Sequence, residues 1–387
     1  MQEWRAERLE HLPPYLFVDL DRRKREALAA GKDVINLGIG DPDMPTHDFI
    51  VDRLAEEIRN PANHRYPTGA GTNEFIDACM GFFQRRFDVS LKRDNVTALI
   101  GSKEGIGHLP TAVLNPGETV LIPAPGYPVY TAATIFAGGV GHEMPLIAAN
   151  NWLPDLDAIP PDVAENAKLM YLNYPNNPTG AVADIDFFKR LLGFARKHHI
   201  LIAHDAAYSQ VFFEFKPPSI LQVPGAIDNA IEFHSLSKSF NMTGWRIGFA
   251  VGNPGAVAAL TQVKDNLDSG QFNAIQNAAS DALDHADHVS VRAMSDLYRE
   301  RRDIVVSALN AMGISAEKPQ AGFYVWAGCP DGYTSAEFAA KLLDRAAVVV
   351  VPGTGFGRPG EGYFRIALTV GTARITEALR RMESVNW

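Results

Sequence analysis

The chain has 387 residues, of which 46% are hydrophobic and 21% charged, an ordinary globular composition in a chain too long for one minimal domain. The formal net charge of −9 argues against a nucleic acid or an anionic membrane as the main binding partner. The two cysteines, Cys79 and Cys329, are too few for a disulfide framework and favour a reducing cytoplasm.

The N-terminal 45 residues contain a short helical pattern and one strand-like stretch, VINLGIG at 34–40. Charges alternate through MQEWRAERLEHLPPY, which is unlike the apolar core of a signal peptide. No run in the chain approaches the roughly 18 apolar residues that a membrane helix needs. Because this N-terminal segment is too small to fold alone, we expect it to pack with the C-terminal part of the chain.

The middle of the chain alternates short apolar runs with longer amphipathic patterns. The apolar runs predict strands at 96–100, 119–124, 169–174, 200–206, 231–236 and 246–252. The amphipathic patterns between them predict helices at 102–114, 129–136, 184–198 and 254–267. This order predicts an α/β fold with a mostly parallel sheet covered by helices on both faces. We predict a large domain over residues 46–285, with ligands bound outside the carboxyl ends of its strands.

The last hundred residues have a different pattern. A long helix, three strands and a final helix are predicted at 288–312, 322–328, 348–353, 362–368 and 372–384. This order is typical of a small α+β unit. Residues 1–45 and 286–387 are therefore predicted to form a second, smaller domain.

Several predicted strands end in polar residues where a plain turn would suffice. The stretch LIGSKEGI opens a helix, so Gly101, Ser102 and Lys103 could bind an anion through backbone N–H groups and the helix dipole. An ordinary N-capped helix explains the same residues. The stretch is not a P-loop, because the G-K-[ST] pattern is absent.

Two further strands end in candidate ligand contacts. Asn177 lies in the turn NYPNNPTG, where its amide could donate to a ligand oxygen, although a plain loop has the same composition. Asp205 ends the run IAHD, and a carboxylate there needs a partner. That partner is either a cationic group of a ligand or a structural cap or salt bridge. Tyr208 follows three residues later and could share the pocket.

Two cations lie in unusual surroundings. Arg365, in the apolar run FRIAL, could bind a carboxylate through its planar guanidinium or pair with an internal acid. Lys238 follows a strand among small hydroxyl residues, and Arg246 lies eight positions later. A desolvated lysine near another cation has a lowered pKa and can form a Schiff base. A solvated loop lysine is the alternative.

Together, these side chains match the functional groups of one ligand, pyridoxal 5′-phosphate. An acid beside its ring nitrogen would keep that nitrogen protonated, so that the ring accepts electrons from the substrate α-carbon. Tyr127, in APGYPVY, would stack on the ring. Gly101–Lys103, Ser235 and Arg246 would bind the phosphate, and Lys238 would react with the aldehyde. Asn177 and Tyr208 would contact the phenolic oxygen, and Asp205 would contact the ring nitrogen.

The ordered motifs resemble the fold-type I, pyridoxal-phosphate-dependent aminotransferases of class I/II over nearly the whole chain. The lysine motif S-x-x-K-x₇-R-x-G is matched by Ser235, Lys238, Arg246 and Gly248, and NYPNNPTG and the D-x-x-Y spacing of DAAY match two others. The resemblance implies that Lys238 is the catalytic lysine, which forms the Schiff base and moves a proton between the substrate and the cofactor.

The same resemblance implies roles for the remaining candidates. It makes Gly101, Ser102, Lys103, Tyr127, Asn177, Asp205, Tyr208, Ser235 and Arg246 cofactor contacts. It makes Arg365 the clamp for the substrate α-carboxylate. Tyr66, in HRYPTGAG, is implied to reach the phosphate in the neighbouring subunit of a homodimer with shared active sites.

Within the family, stretches such as LPPYLFVDLDRRK, NLGIGDPD and GSKEGIGHLP resemble LL-diaminopimelate aminotransferases. This implies amino exchange between LL-2,6-diaminopimelate and 2-oxoglutarate in lysine and cell-wall biosynthesis. Some members of that group carry a glutamate shortly after the tyrosine that matches Tyr66, whereas the first acid here is Glu74. Besides Arg365, the candidate substrate contacts are Tyr15, Ile39, Gly40, Lys103, Tyr127 and Asn177, followed by Glu104 and residues 271–273.

Other functions remain open on the sequence alone. An aminotransferase for alanine, aspartate or N-succinyl-diaminopimelate would share the scaffold. A pyridoxal-phosphate-dependent carbon–sulfur β-lyase would share Lys238, Asp205 and Arg365. The effector domain of a transcription regulator is disfavoured by the acidic charge and by the lack of an N-terminal DNA-binding unit. The expected partners are small amino acids and 2-oxo acids, with no nucleic acid, membrane or metal.

Overall fold

The computed structural model describes residues 4–12 and 18–387. Its strands and helices alternate through the middle of the chain, as predicted. The helices are α1 Val18–Ala29, α2 Asp48–Glu57, α3 Asn73–Phe87, α4 Ser102–Val113, α5 Val129–Phe136, α6 Pro161–Asn166, α7 Ile185–His198, α8 Leu236–Ser239, α9 Pro254–Leu267, α10 Asn273–Asp284, α11 Val289–Ala311, α12 Ser335–Ala346 and α13 Thr372–Glu383. The strands are β1 Ile35–Asn36, β2 Val96–Leu99, β3 Thr119–Ala124, β4 Val140–Pro145, β5 Ala167–Asn173, β6 Leu201–Asp205, β7 Ala230–Ser235, β8 Gly248–Gly252, β9 Tyr324–Gly328, β10 Val348–Val349, β11 Val351–Pro352 and β12 Tyr363–Ala367.

The largest sheet has seven strands in the order β2-β8-β7-β6-β5-β3-β4. Strand β8 is antiparallel to both of its neighbours, and the other pairings are parallel, so the sheet is mostly parallel. Strands β5, β6 and β7 are almost entirely buried, which explains their apolar residues and means that the polar residues within them need partners. The carboxyl ends of β2, β3, β5, β6 and β7 therefore meet at one edge of the sheet.

Edge strand β4 had no counterpart among the predicted strands, because most of its residues are exposed and it lacks an apolar run. The run 348–353 was predicted as one strand, and this was wrong. Val348 and Val349 pair in parallel with β1, whereas Val351 and Pro352 pair with β12. The run divides because its two halves join different sheets: a two-stranded one with the N-terminal segment and a three-stranded one with β12 and β9.

Local sequence explains where several helices begin. Asp184 accepts a hydrogen bond from the Phe187 N–H at the start of α7. Thr334 and Glu337 form a capping box at the start of α12. Helix α4 begins after Gly101, whose φ of 75° is favourable only for glycine. These caps fix helix starts close to the strand ends where the polar residues lie.

The apolar core has separate clusters around the large sheet and around the C-terminal unit. The C-terminal cluster includes Ile35 and Leu37 from the N-terminal segment, together with residues from α11, α12 and α13. A small aromatic cluster joins the loop after β4 to the three-stranded sheet, because Trp152 packs edge-on against both Trp326 and Tyr363. The division into domains at residues 45 and 285 stays a prediction. None of the described helices is both long and apolar enough to cross a membrane.

Candidate active site

A cavity of about 900 Å³ lies at the carboxyl edge of the large sheet. It extends to the N-terminal segment and to strand β12 of the three-stranded sheet. Its volume suits a small cofactor together with a substrate. It brings together most of the side chains singled out in the sequence: Ile39, Gly40, Ser102, Lys103, Tyr127, Asn177, Asp205, Tyr208, Ser235, Lys238, Arg246 and Arg365.

Lys238 lies in the short helix α8, directly after β7, and its Nζ donates to the Gly40 carbonyl oxygen at 2.9 Å. No described carboxylate forms an ion pair with it. Burial lowers the pKa of Lys238 to about 8; Asp41 opposes this shift, while Arg246 and Arg365 add to it. A lysine with this pKa has a substantial neutral fraction near physiological pH, which is the form that attacks an aldehyde.

Asp205 ends β6 at the floor of the cavity and is 5% exposed. Its Oδ2 accepts a hydrogen bond from the Tyr130 hydroxyl at 2.8 Å, and its Oδ1 accepts from the Ala207 N–H at 3.2 Å. Burial raises the pKa of Asp205, and the Tyr130 hydrogen bond opposes this shift. No cation forms an ion pair with this carboxylate among the described residues, so a cationic ligand group could meet it.

Asn177 is held by its neighbours on β5 and β12. Its N–H donates to the Asn173 Oδ1 at 2.7 Å, and the Asn173 side chain donates in turn to the Asp205 carbonyl. The Asn177 Oδ1 accepts from Arg365, which leaves its amide NH₂ group free to donate to a ligand oxygen. The Tyr208 hydroxyl lies 3.3 Å from the Tyr324 hydroxyl. Burial raises the pKa of Tyr208 well above its usual value, so it is a neutral donor.

Arg365 is a buried cation without an acidic partner among the described residues. Its guanidinium donates to the Asn177 Oδ1 and to the Gly38 carbonyl, both at 2.7 Å. Its Nε is buried and has no described partner. The guanidinium carbon lies 4.1 Å from the Tyr324 ring centre and 4.7 Å from that of Phe356. Arg365 therefore forms no internal ion pair with a described residue. An anion bound in the cavity would neutralise its charge.

The start of α4 and the turn before β8 form a second region suited to an anion. Gly248 lies so close to this turn that a Cβ there would be 2.5 Å from the His234 carbonyl and 2.9 Å from the Ser102 N–H. Arg246 adopts a φ of 57°, a backbone conformation that costs on the order of 1 kcal/mol in a residue with a side chain. The Ser237 hydroxyl, which also lines the cavity, is buried without a described partner.

A buried charged network lies behind Asp205. The Glu232 carboxylate accepts hydrogen bonds from the rings of His204 and His234 at 2.9 and 2.6 Å. Burial acts to raise the pKa of Glu232, but the two histidines hold it well below its usual range. The other ring nitrogen of His204 lies 3.0 Å from the Tyr174 carbonyl oxygen. The positive field of this network favours the anionic form of Asp205.

Several predicted residues lie outside the cavity lining. Glu104 contacts Lys264, His108 and the Ile100 N–H through its carboxylate. These contacts support a structural role for this acid in the first turn of α4. Gln271 donates to the carbonyl oxygens of Trp245 and Arg246 and thereby fixes the turn.

The remaining predicted residues outside the lining differ from one another. Gly101 does not line the cavity, but a Cβ there would overlap the Arg246 guanidinium. Asn273 donates to the Arg65 carbonyl, far from the cavity lining. Tyr66 is 88% exposed and does not line the cavity of its own chain. Tyr15 lies outside the described residues.

The sequence did not single out several residues that the structure brings to the site. Tyr130 lies three positions after Tyr127, and Tyr324 begins strand β9, outside the sequence motifs. Asn173 ends β5, a position that could have been noticed because strand ends carry the other site residues. Asp21 and Lys24, on α1, also line the cavity.

Comparisons with known proteins agree with this geometry. The family described as aminotransferase class I and II matches residues 32–382. An LL-diaminopimelate aminotransferase of Syntrophobacter fumaroxidans is 52% identical over 385 residues, covering 99% of each chain. Among solved structures, apo-BacF of Bacillus subtilis is 38% identical with a TM-score of 0.95, covering 100% of this chain and 99% of that one. A probable N-succinyldiaminopimelate aminotransferase of Thermus thermophilus is 37% identical with a TM-score of 0.91, covering 95% and 99%.

Proposed function

The chain belongs to the aminotransferase class I and II family, and from this membership we propose a pyridoxal 5′-phosphate-dependent exchange of amino groups between LL-2,6-diaminopimelate and 2-oxoglutarate. The curated relatives that are about half identical over the whole chain support this choice of substrate. The single observation that carries the chemistry is a pair of cations, the half-buried Lys238 and the buried Arg365, which share one cavity with Asp205 and form no ion pair with an acid among the described residues.

The side chains of the cavity fit pyridoxal 5′-phosphate. Asp205 offers an acceptor to a protonated ring nitrogen, and Tyr127 offers a ring face. The buried, unpartnered Ser237 hydroxyl and the N-terminus of α4 lie where an anion would be stabilised. Residues that would hold the phosphate are Ser102, Lys103, Ser235 and Arg246, with Asn177 and Tyr208 donating to the phenolic oxygen. When bound, the cofactor supplies an aldehyde for amino groups and a ring that accepts electrons.

The residues of the chain then bind, orient and transfer protons. Arg365 binds the substrate α-carboxylate and fixes the α-carbon beside Lys238. Lys238 moves a proton between the substrate α-carbon and the cofactor. A pKa of about 8 makes both protonation states of Lys238 accessible near neutral pH. The Arg365–Asn177 hydrogen bond of 2.7 Å links the substrate anchor to a cofactor contact. The Tyr130 hydrogen bond and the charges of His204 and His234 act against the burial that raises the pKa of Asp205.

We also propose a homodimer in the cytoplasm. Tyr66 is 88% exposed and does not line the cavity of its own chain, which suits a residue that contacts the partner subunit. Both cysteines are free, as expected in a reducing compartment. Sedimentation would show a dimer, and mixing Tyr66→Ala with Lys238→Ala protein would restore part of the activity, because one site of each mixed dimer is intact. A monomer with full activity would contradict this proposal.

The experiment for the proposed function uses the purified full chain with added pyridoxal 5′-phosphate. LL-2,6-diaminopimelate and 2-oxoglutarate are expected to yield glutamate, measured with a coupled dehydrogenase. Alanine, aspartate and N-succinyl-diaminopimelate are tested in parallel, and faster turnover of any of them would reassign the substrate. Pyruvate and ammonia released from a cystathionine-type substrate without a 2-oxo acid would instead indicate a β-lyase.

A further inference from the structure

Two opposite charges on helix α1 face the active-site cavity. Asp21 and Lys24 both line it, and both are half-buried. They lie three residues apart in the helix, so their side chains project on the same side. Neither side chain has a hydrogen bond or ion pair with another described residue. A carboxylate and an ammonium are therefore available together at this wall of the cavity.

The neighbouring charges of α1 point to other partners. Arg22 contacts Glu26 at 2.6 Å, and Arg23 contacts Asp344 at 3.4 Å, both on exposed surface. Arg22 and Arg23 are thus ion-paired, and Arg25 donates to the Asp21 backbone carbonyl, whereas the side chains of Asp21 and Lys24 have no partner among the described residues. A charged pair that is held apart in a cavity gains most by binding a ligand of opposite charges.

The other charged groups of the cavity already have functions in the proposed reaction. Arg365 takes the α-carboxylate, and Arg246 lies at the phosphate region. Asp41 also lines the cavity, and its field acts on Lys238. One anion and one cation on α1 remain without a function. The distal end of the proposed substrate carries one ammonium and one carboxylate. Binding it therefore requires one anion and one cation in the protein.

We propose that Asp21 and Lys24 form a specificity site for the distal amino-acid head of the substrate. The Asp21 carboxylate binds the distal ammonium, and the Lys24 ammonium binds the distal carboxylate. The inference rests on the proposed function, since it concerns the far end of LL-2,6-diaminopimelate. It also explains selectivity: in an N-succinyl substrate the distal ammonium is replaced by an amide with an added carboxylate, which Asp21 repels.

The test uses full-length holoenzyme and separates KM from kcat. Asp21→Asn and Lys24→Met are each expected to raise KM for LL-2,6-diaminopimelate about tenfold, the effect of one charge-assisted contact, with kcat within twofold. KM for glutamate, which lacks a distal amino-acid head, stays within twofold in Asp21→Asn. Asp21→Asn also narrows the preference for LL-2,6-diaminopimelate over its N-succinyl derivative, whereas Asp21→Glu restores it.

A matched control removes one negative charge from an exposed, ion-paired position of the same helix. Glu26→Gln is expected to leave both KM values unchanged, and circular dichroism of all variants should match the parent chain. Unchanged KM for LL-2,6-diaminopimelate in both cavity variants would overturn the specificity site. An equal loss for glutamate in Asp21→Asn would overturn it as well, since the effect would then not concern the distal ammonium. A parent chain inactive on LL-2,6-diaminopimelate would instead refute the proposed function.

Discussion

One buried and one half-buried lysine have opposite surroundings. Lys264, between α4 and α9, is completely buried and contacts Glu104 at 3.0 Å and Asp268 at 3.6 Å. Lys238, in the cavity, has a carbonyl oxygen as its hydrogen-bond partner and a pKa lowered to about 8. The first cation is neutralised within the protein, whereas the second is kept ready to lose its proton or to react.

The buried arginines show the same difference. Arg301 contacts both oxygens of Asp43 at 2.7 and 2.9 Å, and Arg302 contacts both oxygens of Glu214 at 2.7 and 2.8 Å. Arg365, by contrast, contacts neutral acceptors and aromatic rings among the described residues. Since burying an uncompensated charge is costly, the unpaired cations mark where a ligand supplies the missing charge or bond.

The largest effect on activity is expected from substituting Lys238, the lysine without an acidic partner among the described residues. Lys238→Ala should lower kcat by at least about 10³-fold, because both the covalent and the proton-transfer roles are lost. The absorbance of the cofactor–lysine bond should disappear. The thermal midpoint should stay close to that of the parent apoprotein, since no ion pair is broken. A variant with more than a tenth of the parental kcat would contradict the assignment.

Lys264 should show the opposite behaviour. Lys264→Met leaves the half-buried Glu104 carboxylate without its lysine partner, which should cost about 3 kcal/mol in the free energy of unfolding. Urea denaturation measures this loss. The activity of the protein that remains folded should stay within about twofold, because Lys264 does not touch the cavity. A stability change below about 1 kcal/mol would show that the pair is not needed.

Arg365→Ala tests the ligand-dependent cation. The value of kcat/KM should fall about 10²–10³-fold, because a buried charge pair with the substrate carboxylate contributes roughly 3–4 kcal/mol. The loss should be equal for LL-2,6-diaminopimelate and glutamate, since both carry the α-carboxylate. Cofactor absorbance serves as the control and should persist. A loss confined to one substrate would assign Arg365 to side-chain recognition instead.

A smaller effect is expected behind the cavity floor. Tyr130→Phe removes the 2.8 Å hydrogen bond to Asp205 and lets the pKa of that carboxyl rise further. The affinity of the apoprotein for pyridoxal 5′-phosphate, measured by fluorescence titration, should fall about tenfold. Tyr171→Phe is the matched control, because its ring stacks on Tyr130 at 4.7 Å while its hydroxyl donates to the Ile106 carbonyl. Equal losses in both variants would point to packing.

The smallest expected effect is a shift in pH dependence. Capture of pyridoxal 5′-phosphate by the apoprotein requires neutral Lys238, so its rate should rise with pH and level off above about pH 8. Asp41→Asn removes a charge that raises the pKa of Lys238, and the midpoint should move to lower pH. Stopped-flow absorbance measures both curves. A midpoint near the usual lysine value would show that Lys238 is not desolvated in solution.

Much of the site could be predicted because its residues follow strands that are recognisable in sequence. Asn177, Asp205 and Lys238 each come at or just after a buried run, and parallel strands bring such positions to one edge. Tyr130 could not be predicted as the partner of Asp205, since the two are 75 residues apart and neither position suggests the other. The charges of α1 read as a solvated helix face, because nothing local shows which ones face a cavity.

The fold was predicted to a similar extent and for similar reasons. Buried strands such as β3 and β5 contain apolar runs, whereas the exposed edge strand β4 has none. The division of 348–353 between two sheets depends on distant partners, Ile35 and Arg365 among them. Strand pairing of this kind is a property of tertiary contacts, which a single apolar run does not encode.

The aromatic cluster of Trp152, Trp326 and Tyr363 gives the protein a built-in optical reporter. Trp152 comes from the loop after β4, whereas the other two rings, stacked 5.4 Å apart, belong to the three-stranded sheet. The ring contacts therefore cross from one sheet to the other. Indole emission depends on such short ring distances, so any ligand that shifts the sheets against each other changes the intrinsic fluorescence. Movements around the cavity can thus be followed in the unlabelled protein.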